Sequence, residues 1–359
     1  AAEASLRRAL ELDPSVTNAY NWLAGVLAMQ NRRDEGLAVR QKGLGIDPLN
    51  PIMTINVAGY HQDLGEFSKA ETLLRRLLEL PSPPELAYLT LFGLYSDFGQ
   101  FADAMRVLVE WQATGPASAD PELFYELAEV CLALGLHEYA DTWYQRGVDG
   151  DFLSKRILLR KARMLKAYGK FDELRAHMKF IDTNDPIETA TMPIPALDTL
   201  ATVRIFAGQY PEGISVANDL LDVDDLRPED GVVSADAVNL LHALAFAYQA
   251  TGDSRQAADT LLLAAAFIDL RLEKGGSENP AWLEQQMLNL TMRGNLDDAA
   301  ATLARAVDAG WRNYRLLAHD PRWLALFDMA EVEPSLAAIE DDLDRQAAEV
   351  ESILADLGL

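Results

Sequence analysis

Residues 65–70 read Gly-Glu-Phe-Ser-Lys-Ala, and residues 99–104 repeat the phrase as Gly-Gln-Phe-Ala-Asp-Ala after a step of 34 residues. The order of glycine, spacer, aromatic residue and, usually, a small residue five positions after the glycine returns along the chain, with weaker copies towards its end. The other glycines of the series are Gly135, Gly169, Gly208, Gly252 and Gly294. A fixed period of this length is typical of a solenoid, in which each unit buries its face only against its neighbours.

The repeat fits a register of 34 residues in which the glycine takes position 15. Helix A of each unit then carries a large and a small apolar residue at positions 7 and 8, such as Leu23 and Ala24. Helix B follows the glycine with apolar residues at helical spacing, such as Ala70, Leu74 and Leu77. The small residues let the two helices approach closely, and the glycine gives the turn its backbone freedom. The pattern predicts antiparallel helix pairs.

These units resemble the tetratricopeptide repeat (TPR) over roughly residues 1–310. The resemblance implies an all-α fold, a TPR α-solenoid that is a right-handed superhelix of antiparallel helix pairs with a C-terminal capping helix. The tryptophan that the family carries at position 4 is absent, and the later glycine steps lengthen to 39, 44 and 42 residues. Pentatricopeptide repeats have a similar period but read RNA in a basic groove. HEAT-type units are longer and do not explain the glycine–aromatic phrase, so the TPR is favoured.

The register divides the chain into four parts. Residues 1–16 are a truncated repeat with helix B alone, and residues 17–186 hold units one to five. Residues 187–310 hold units six to eight with longer connections, and residues 311–359 form C-terminal capping helices. Because the chain begins in mid-repeat and without methionine, we interpret it as an excised fragment or a processed product.

The C-terminal residues 332–357 carry one apolar stripe. Its members are Leu336, Ile339, Leu343, Ala347, Val350, Leu354 and Leu357. A helix with this stripe could form a short coiled-coil seam or fold over the last repeat as a cap. The cap is the favoured interpretation.

The chain has 359 residues, of which 49% are hydrophobic, and its net charge is −25. Nucleic acids and anionic membranes are bound by basic surfaces, so the charge argues against both as direct partners. It favours a basic partner, although a strongly acidic surface also serves solubility alone. The single cysteine, Cys131, excludes a disulfide framework and fits a reducing compartment. We therefore favour a cytoplasmic location and leave the periplasm open.

Catalysis needs converging groups with tuned protonation, and the sequence offers few of them. The five histidines are dispersed, and none forms a pair at metal-ligand spacing. Asp320 and Pro321 are best explained as a loop before a helix start, and Cys131 falls on an apolar stripe. The sequence has no nucleophile elbow and no glycine loop for phosphate. We predict that these residues form no enzyme and bind no metal or cofactor.

In TPR proteins the concave surface is lined by helix A, chiefly at positions 2, 5, 9, 12 and 13, and the resemblance implies the same surface here. The partner-binding residues predicted in this way on units one to three are Asn18, Asn21, Ile52, Ile55, Gln62, Leu86, Leu89 and Ser96. The apolar members form a floor, and Asp63 and Asp97 lie beside it. Position 9 is glycine in three successive units, at Gly25, Gly59 and Gly93. This glycine row could admit a peptide backbone or let successive A helices pack tightly, and packing is favoured.

The helix at residues 155–170 is rich in lysine and arginine, with no acidic residue. Two of its residues, Arg156 and Arg163, could clamp the acidic tail of a partner. The register offers another explanation, because Glu122 and Glu129 occupy the same positions one unit earlier. Ion pairs between adjacent repeats are favoured, and each contributes little where it is exposed.

Together these features predict a non-catalytic scaffold that binds a peptide or partner domain on its concave surface. An alternative comes from residues 310–327, which resemble the end of bacterial TPR regions attached to adenylate or guanylate cyclases or to winged-helix transcriptional regulators. That resemblance implies a regulatory C-terminal region of a bacterial signalling protein that acts by self-association. A homodimer would suit this alternative.

Overall fold

The structure is a computed structural model, and it describes residues 1–30, 32–114, 121–150, 155–184, 192–221 and 234–357. Within these ranges the chain is helical and has no strand. The α-helices are α1 (Ala2–Leu12), α2 (Thr17–Met29), α3 (Arg33–Ile46), α4 (Pro51–Asp63), α5 (Phe67–Leu78), α6 (Glu85–Asp97), α7 (Phe101–Gln112), α8 (Pro121–Ala133), α9 (His137–Gly150), α10 (Lys155–Ala167), α11 (Phe171–Asn184), α12 (Ile194–Phe206), α13 (Tyr210–Leu221), α14 (Ala235–Thr251), α15 (Ser254–Arg271), α16 (Pro280–Met292), α17 (Leu296–Asp308), α18 (Tyr314–Leu317), α19 (Leu324–Phe327) and α20 (Glu333–Asp356). A π-helical turn, Leu272–Gly276, follows α15. In this described part of the chain, no helix has both the length and the apolar character needed to cross a bilayer.

The glycines of the repeated phrase occupy the turns between the two helices of successive pairs. These glycine turns are at Gly65, Gly99, Gly135, Gly169, Gly208, Gly252 and Gly294. Their φ angles lie between 66 and 85°, in the left-handed region that residues with a Cβ rarely adopt. The phrase therefore marks the point at which each A helix stops and the chain reverses.

The apolar positions of the register form the core between the paired helices. Leu23 and Ala24 are buried on an A helix, and Ala70, Leu74 and Leu77 are buried on a B helix. Adjacent pairs stack in chain order from α2 to α9 and from α10 to α17, and Arg163 of α10 reaches Glu129 of α8 between these two runs. The predicted fold class, an all-α solenoid of antiparallel helix pairs, is confirmed.

The solenoid coils until its last pairs meet its early ones. Arg271 Nη2, at the end of α15, lies 3.0 Å from Asp63 Oδ2 at the end of α4. The amide of Asn279 donates to the carbonyl oxygen of Gln62 at 2.7 Å. Gly65 packs so closely on Glu278 that a Cβ on the glycine would overlap with it. These contacts join residues that are separated in sequence by 208 and 217 positions, and they thus close one turn of the superhelix.

The C-terminal helix α20 packs on the solenoid through its apolar stripe. The buried members are Leu336, Ile339, Leu343, Ala347, Val350 and Leu354, whereas Leu357 is exposed. The helix contacts α17 of the last pair and also α7. Gln346 fixes it there, because its Nε2 donates to the carbonyl oxygen of Gly99 at 2.8 Å. The capping-helix prediction is confirmed, and the cap reaches a pair far from the end of the array.

Candidate partner-binding surface

The concave surface has two halves, which we call the filled half and the open half. The filled half is formed by α10, α12, α14 and α16, and the chain's own residues 311–323, the C-terminal segment, lie against it. The open half is formed by α2, α4 and α6. There a Cβ added at Gly25, Gly59 or Gly93 would meet no described atom within 4 Å. The glycine row therefore faces open space, which differs from the tight helix packing that the sequence favoured.

A buried ion-pair network joins the C-terminal segment to the filled half. Asp320, which is 3% exposed, accepts from Arg322 Nη2 at 2.8 Å and lies 3.3 Å from Lys166 Nζ. Both cations also lie over the ring of Phe206, at 4.6 Å for Lys166 and 5.0 Å for Arg322. Burial acts to raise the pKa of Asp320, but the charges of Arg322 and Lys166 hold it well below its usual range. Asp320 is thus more than the loop residue that the sequence predicts.

A second carboxylate, that of the half-buried Glu284 of α16, receives its hydrogen bonds from the same segment. Trp311 Nε1 and Asn313 Nδ2 each donate to Glu284 Oε2 at 2.7 Å. Burial raises the pKa of Glu284, and the two hydrogen bonds oppose that shift. The C-terminal segment therefore supplies donors as well as cations to the filled half.

His242 of α14 lies fully buried behind this surface. Its Nδ1 donates to Gln285 Oε1 at 3.2 Å, and its Nε2 accepts from Asn289 Nδ2 at 3.1 Å, an arrangement that fits the neutral ring. Burial, together with the positive charge of Arg322, lowers the pKa of His242 to about 3. This histidine is a core residue with both ring nitrogens hydrogen-bonded.

The C-terminal segment and its neighbour Gly310 also cover the glycine turns of three pairs, and Glu278 covers the turn of a fourth. Gly99 touches the carbonyl of Gly310 and the side chain of Arg312, Gly169 touches His319, and a Cβ at either glycine would overlap with these atoms. The other covered turns are at Gly65 and Gly135. At the remaining turns, Gly208, Gly252 and Gly294, a Cβ would meet no described atom within 4 Å.

The open half presents apolar side chains to solvent. On α2 Trp22 is 64% exposed, and at the first turns of α4 and α6 Ile52 and Leu86 are 48% and 47% exposed. Two other members of the predicted floor contribute less, since Ile55 is buried in the core and Leu89 is half-buried against it. The exposed apolar surface is thus a row across three A helices. Trp22 was missed because position 6 is outside the positions taken from the family.

Polar side chains of the open half link adjacent A helices. Asn21 Oδ1 accepts from Asn56 Nδ2 at 2.9 Å and from Arg40 Nε at 3.2 Å. Asn18 is exposed at the start of α2. The hydroxyl of Ser96 is enclosed and has no hydrogen-bond partner among the described residues. Of the predicted polar residues, Asn21 therefore connects adjacent helices, and the set does not line a single pocket among the described residues.

Two aspartates end the A helices of the open half, and their surroundings differ. Asp63 is paired with Arg33 Nη2 at 2.5 Å as well as with Arg271. Asp97 accepts from the amide of Gln62 at 2.6 Å, and no lysine or arginine nitrogen among the described residues lies within ion-pair distance of it. Asp97 is exposed as a residue, but the neighbouring helices desolvate its carboxyl group, and this effect, together with the nearby carboxylates of Asp236, Glu284 and Asp63, raises its pKa to about 6.

The basic helix α10 pairs with the preceding repeat. Arg163 Nη2 lies 3.4 Å from Glu129 Oε1, which is the contact that the register predicts. Arg163 also lowers the pKa of Asp198, but burial and the charge of Asp236 outweigh it and raise that pKa to about 6. The side chains of Arg156 and Glu122 lie outside the described residues. An acid-binding clamp at α10 would have to displace the pairs already made there.

The described residues contain no histidine, cysteine, aspartate and glutamate group that could hold a metal ion. Burial raises the pKa of the Cys131 thiol to about 12, so it stays protonated and unreactive near neutral pH. The described part of the concave surface thus presents exposed apolar side chains and charged side chains to a ligand.

Comparison with known families gives a match to the tetratricopeptide repeat over residues 238–262, which lie in α14 and α15. Among solved structures, a human IFIT1 dimer with PPP-AAAA is 14% identical, with 98% of this chain and 81% of that chain covered and a TM-score of 0.45. The TPR domain of P58(IPK) is 13% identical, with 90% and 92% covered and a TM-score of 0.24. A comparison with curated protein sequences found no similar protein. The family match places a tetratricopeptide repeat in the pair α14–α15.

Proposed function

We propose that this chain is a non-catalytic scaffold that binds an extended segment of a partner protein on the open half of its concave surface. The contrast between the halves carries the proposal. The chain's own C-terminal segment lies along the filled half, whereas the open half leaves Trp22, Ile52 and Leu86 exposed. Covering the exposed parts of Ile52 and Leu86 would contribute about 1 kcal/mol each.

The glycine row supports an extended ligand in particular. Because Gly25, Gly59 and Gly93 have no side chains, the helix backbone is accessible along the middle of each A helix. A peptide backbone can therefore approach there while its side chains reach the apolar residues.

Selection of peptides from a random display library on the full chain tests this proposal. The affinities of the selected peptides would be measured by fluorescence anisotropy. We expect the double variant Ile52→Ser/Leu86→Ser to bind them about tenfold more weakly or worse. The matched control is Leu262→Ser, at an exposed leucine of α15. Peptides that bind both variants equally well would exclude the open half as their site.

The alternative role, a regulatory region of a bacterial signalling protein that self-associates, stays a prediction. The apolar stripe of α20 is buried within the chain, so self-association would use another surface. Light scattering over a range of concentrations tests it, and a constant monomer mass would contradict it.

A further inference from the structure

The A helices α4 and α6 carry matching stripes along the open half. Each has an apolar residue at its first turn, a glycine seven residues later and an aspartate four residues after that, as in Leu86, Gly93 and Asp97. Spacings of seven and eleven residues return to the same face of a helix. Each stripe therefore leads from an exposed apolar side chain, past a glycine, to a carboxylate.

The two stripes differ at their aspartate ends in how the negative charge is compensated within the described structure. Asp63 is neutralised by Arg33 and Arg271, whereas Asp97 receives one amide hydrogen bond from Gln62. Asp97 itself has no lysine or arginine within ion-pair distance among the described residues, and the carboxylates of Asp236, Glu284 and Asp63 act on it from other helices. A cation brought by a ligand would relieve that repulsion.

We infer that the segment bound on the open half is a basic peptide, whose lysine or arginine pairs with Asp97 while an apolar side chain covers Leu86 and Ile52. This inference rests on the proposed function, and it names the chemistry of the partner. The net charge of −25 favours approach of such a peptide and opposes binding of an acidic one or of a second copy of this chain.

The helix sets the spacing within the peptide. Eleven residues of helix separate Leu86 from Asp97, which corresponds to about 16 Å along the axis. An extended chain advances about 3.3 Å per residue, so about five residues span the distance. Because lysine and arginine have long side chains, we expect the basic residue about three to five positions from the apolar one.

The same display library separates this inference from the proposed function. Selection on the unmodified chain should enrich peptides with lysine or arginine at that spacing. Such peptides should bind Asp97→Asn about tenfold more weakly, because a hydrogen-bonded ion pair is lost. Asp259→Asn, at an exposed aspartate of α15, is the matched control and should leave binding unchanged.

Each outcome decides between the two claims. Peptides that depend on Ile52 and Leu86 but show no basic enrichment, or bind Asp97→Asn as well as the unmodified chain, would overturn this inference and leave the proposed function intact. Enrichment of acidic peptides would also overturn it. A selection that yields no peptide dependent on Ile52 and Leu86 would overturn both.

Discussion

Asp320 and Asp97 are carboxylates on the same concave surface, and the chain treats them in opposite ways. Asp320, in the filled half, is surrounded by Lys166 and Arg322, and its pKa lies well below the usual range. Asp97, in the open half, faces other carboxylates, and its pKa is raised to about 6. Asp320 thus has its cations within the chain, whereas Asp97 has no cation within ion-pair distance among the described residues.

The glycine turns repeat this contrast at the edge of the solenoid. Gly99 and Gly208 have similar left-handed backbones, with φ angles of 66° and 80°. Gly99 is also pressed against Gly310 and Arg312, while no described atom would touch a Cβ at Gly208. Glycine therefore allows the left-handed turn in every pair of this series, and in some pairs it also allows close packing against residues distant in sequence.

The largest effect should follow from Asp320→Asn, which leaves Lys166 and Arg322 buried without their carboxylate. We expect a loss of about 3–5 kcal/mol in the free energy of unfolding, measured by urea denaturation at pH 7. Asp172→Asn is the control, because Asp172 forms an exposed pair with Arg175 and should change stability by less than about 0.5 kcal/mol. Equal effects of the two substitutions would contradict the assignment of the network to the fold.

The next effect compares Gly99→Ala with Gly208→Ala. The left-handed backbone costs both variants about 1–2 kcal/mol, and the overlap at Gly99 should add about 2 kcal/mol more. Thermal unfolding of the two variants measures the difference. If Gly208→Ala destabilises the protein as much as Gly99→Ala does, the closure contacts contribute nothing to stability.

The sequence predicts the local part of this fold well. Left-handed turns and the buried pair Leu23 and Ala24 depend on neighbours in the sequence, so one repeated phrase reveals them. The pair of Arg163 with Glu129 follows from the same register, because adjacent repeats stack in a fixed order.

The distribution of filled and open surface could not be predicted in this way. It depends on small rotations between repeats that accumulate over a full turn of the superhelix and bring Arg271 to Asp63. Lys166, one of the two cations around Asp320, is likewise distant from it in sequence, and no motif relates the two. Of the predicted floor, Ile52 and Leu86 are exposed, while Ile55 belongs to the core.

A third effect concerns His242, behind the filled half. Its pKa is about 3 in the folded chain and near 6.5 when unfolded, so the unfolded state takes up a proton first as the pH falls. Stability should be lost between pH 6.5 and 5 by about 2 kcal/mol from this group. Urea denaturation at both pH values measures it, with His242→Gln as the variant that should lose less. Identical pH dependence in the two proteins would contradict a neutral buried histidine.

The smallest effect concerns Asp97, and its sign is opposite. Because its pKa is raised in the folded chain, ionisation of Asp97 disfavours folding, and its contribution to stability falls as the pH rises from about 4 through 6. Asp97→Asn should therefore leave stability at pH 7 unchanged or raise it by less than about 1 kcal/mol, since the side chain is exposed to solvent. A carboxyl NMR titration should place its midpoint near 6, and a bound basic peptide should lower that midpoint. A midpoint near 4 in the free protein would mean that the charge of the open half is already compensated, and the contrast with Asp320 would disappear.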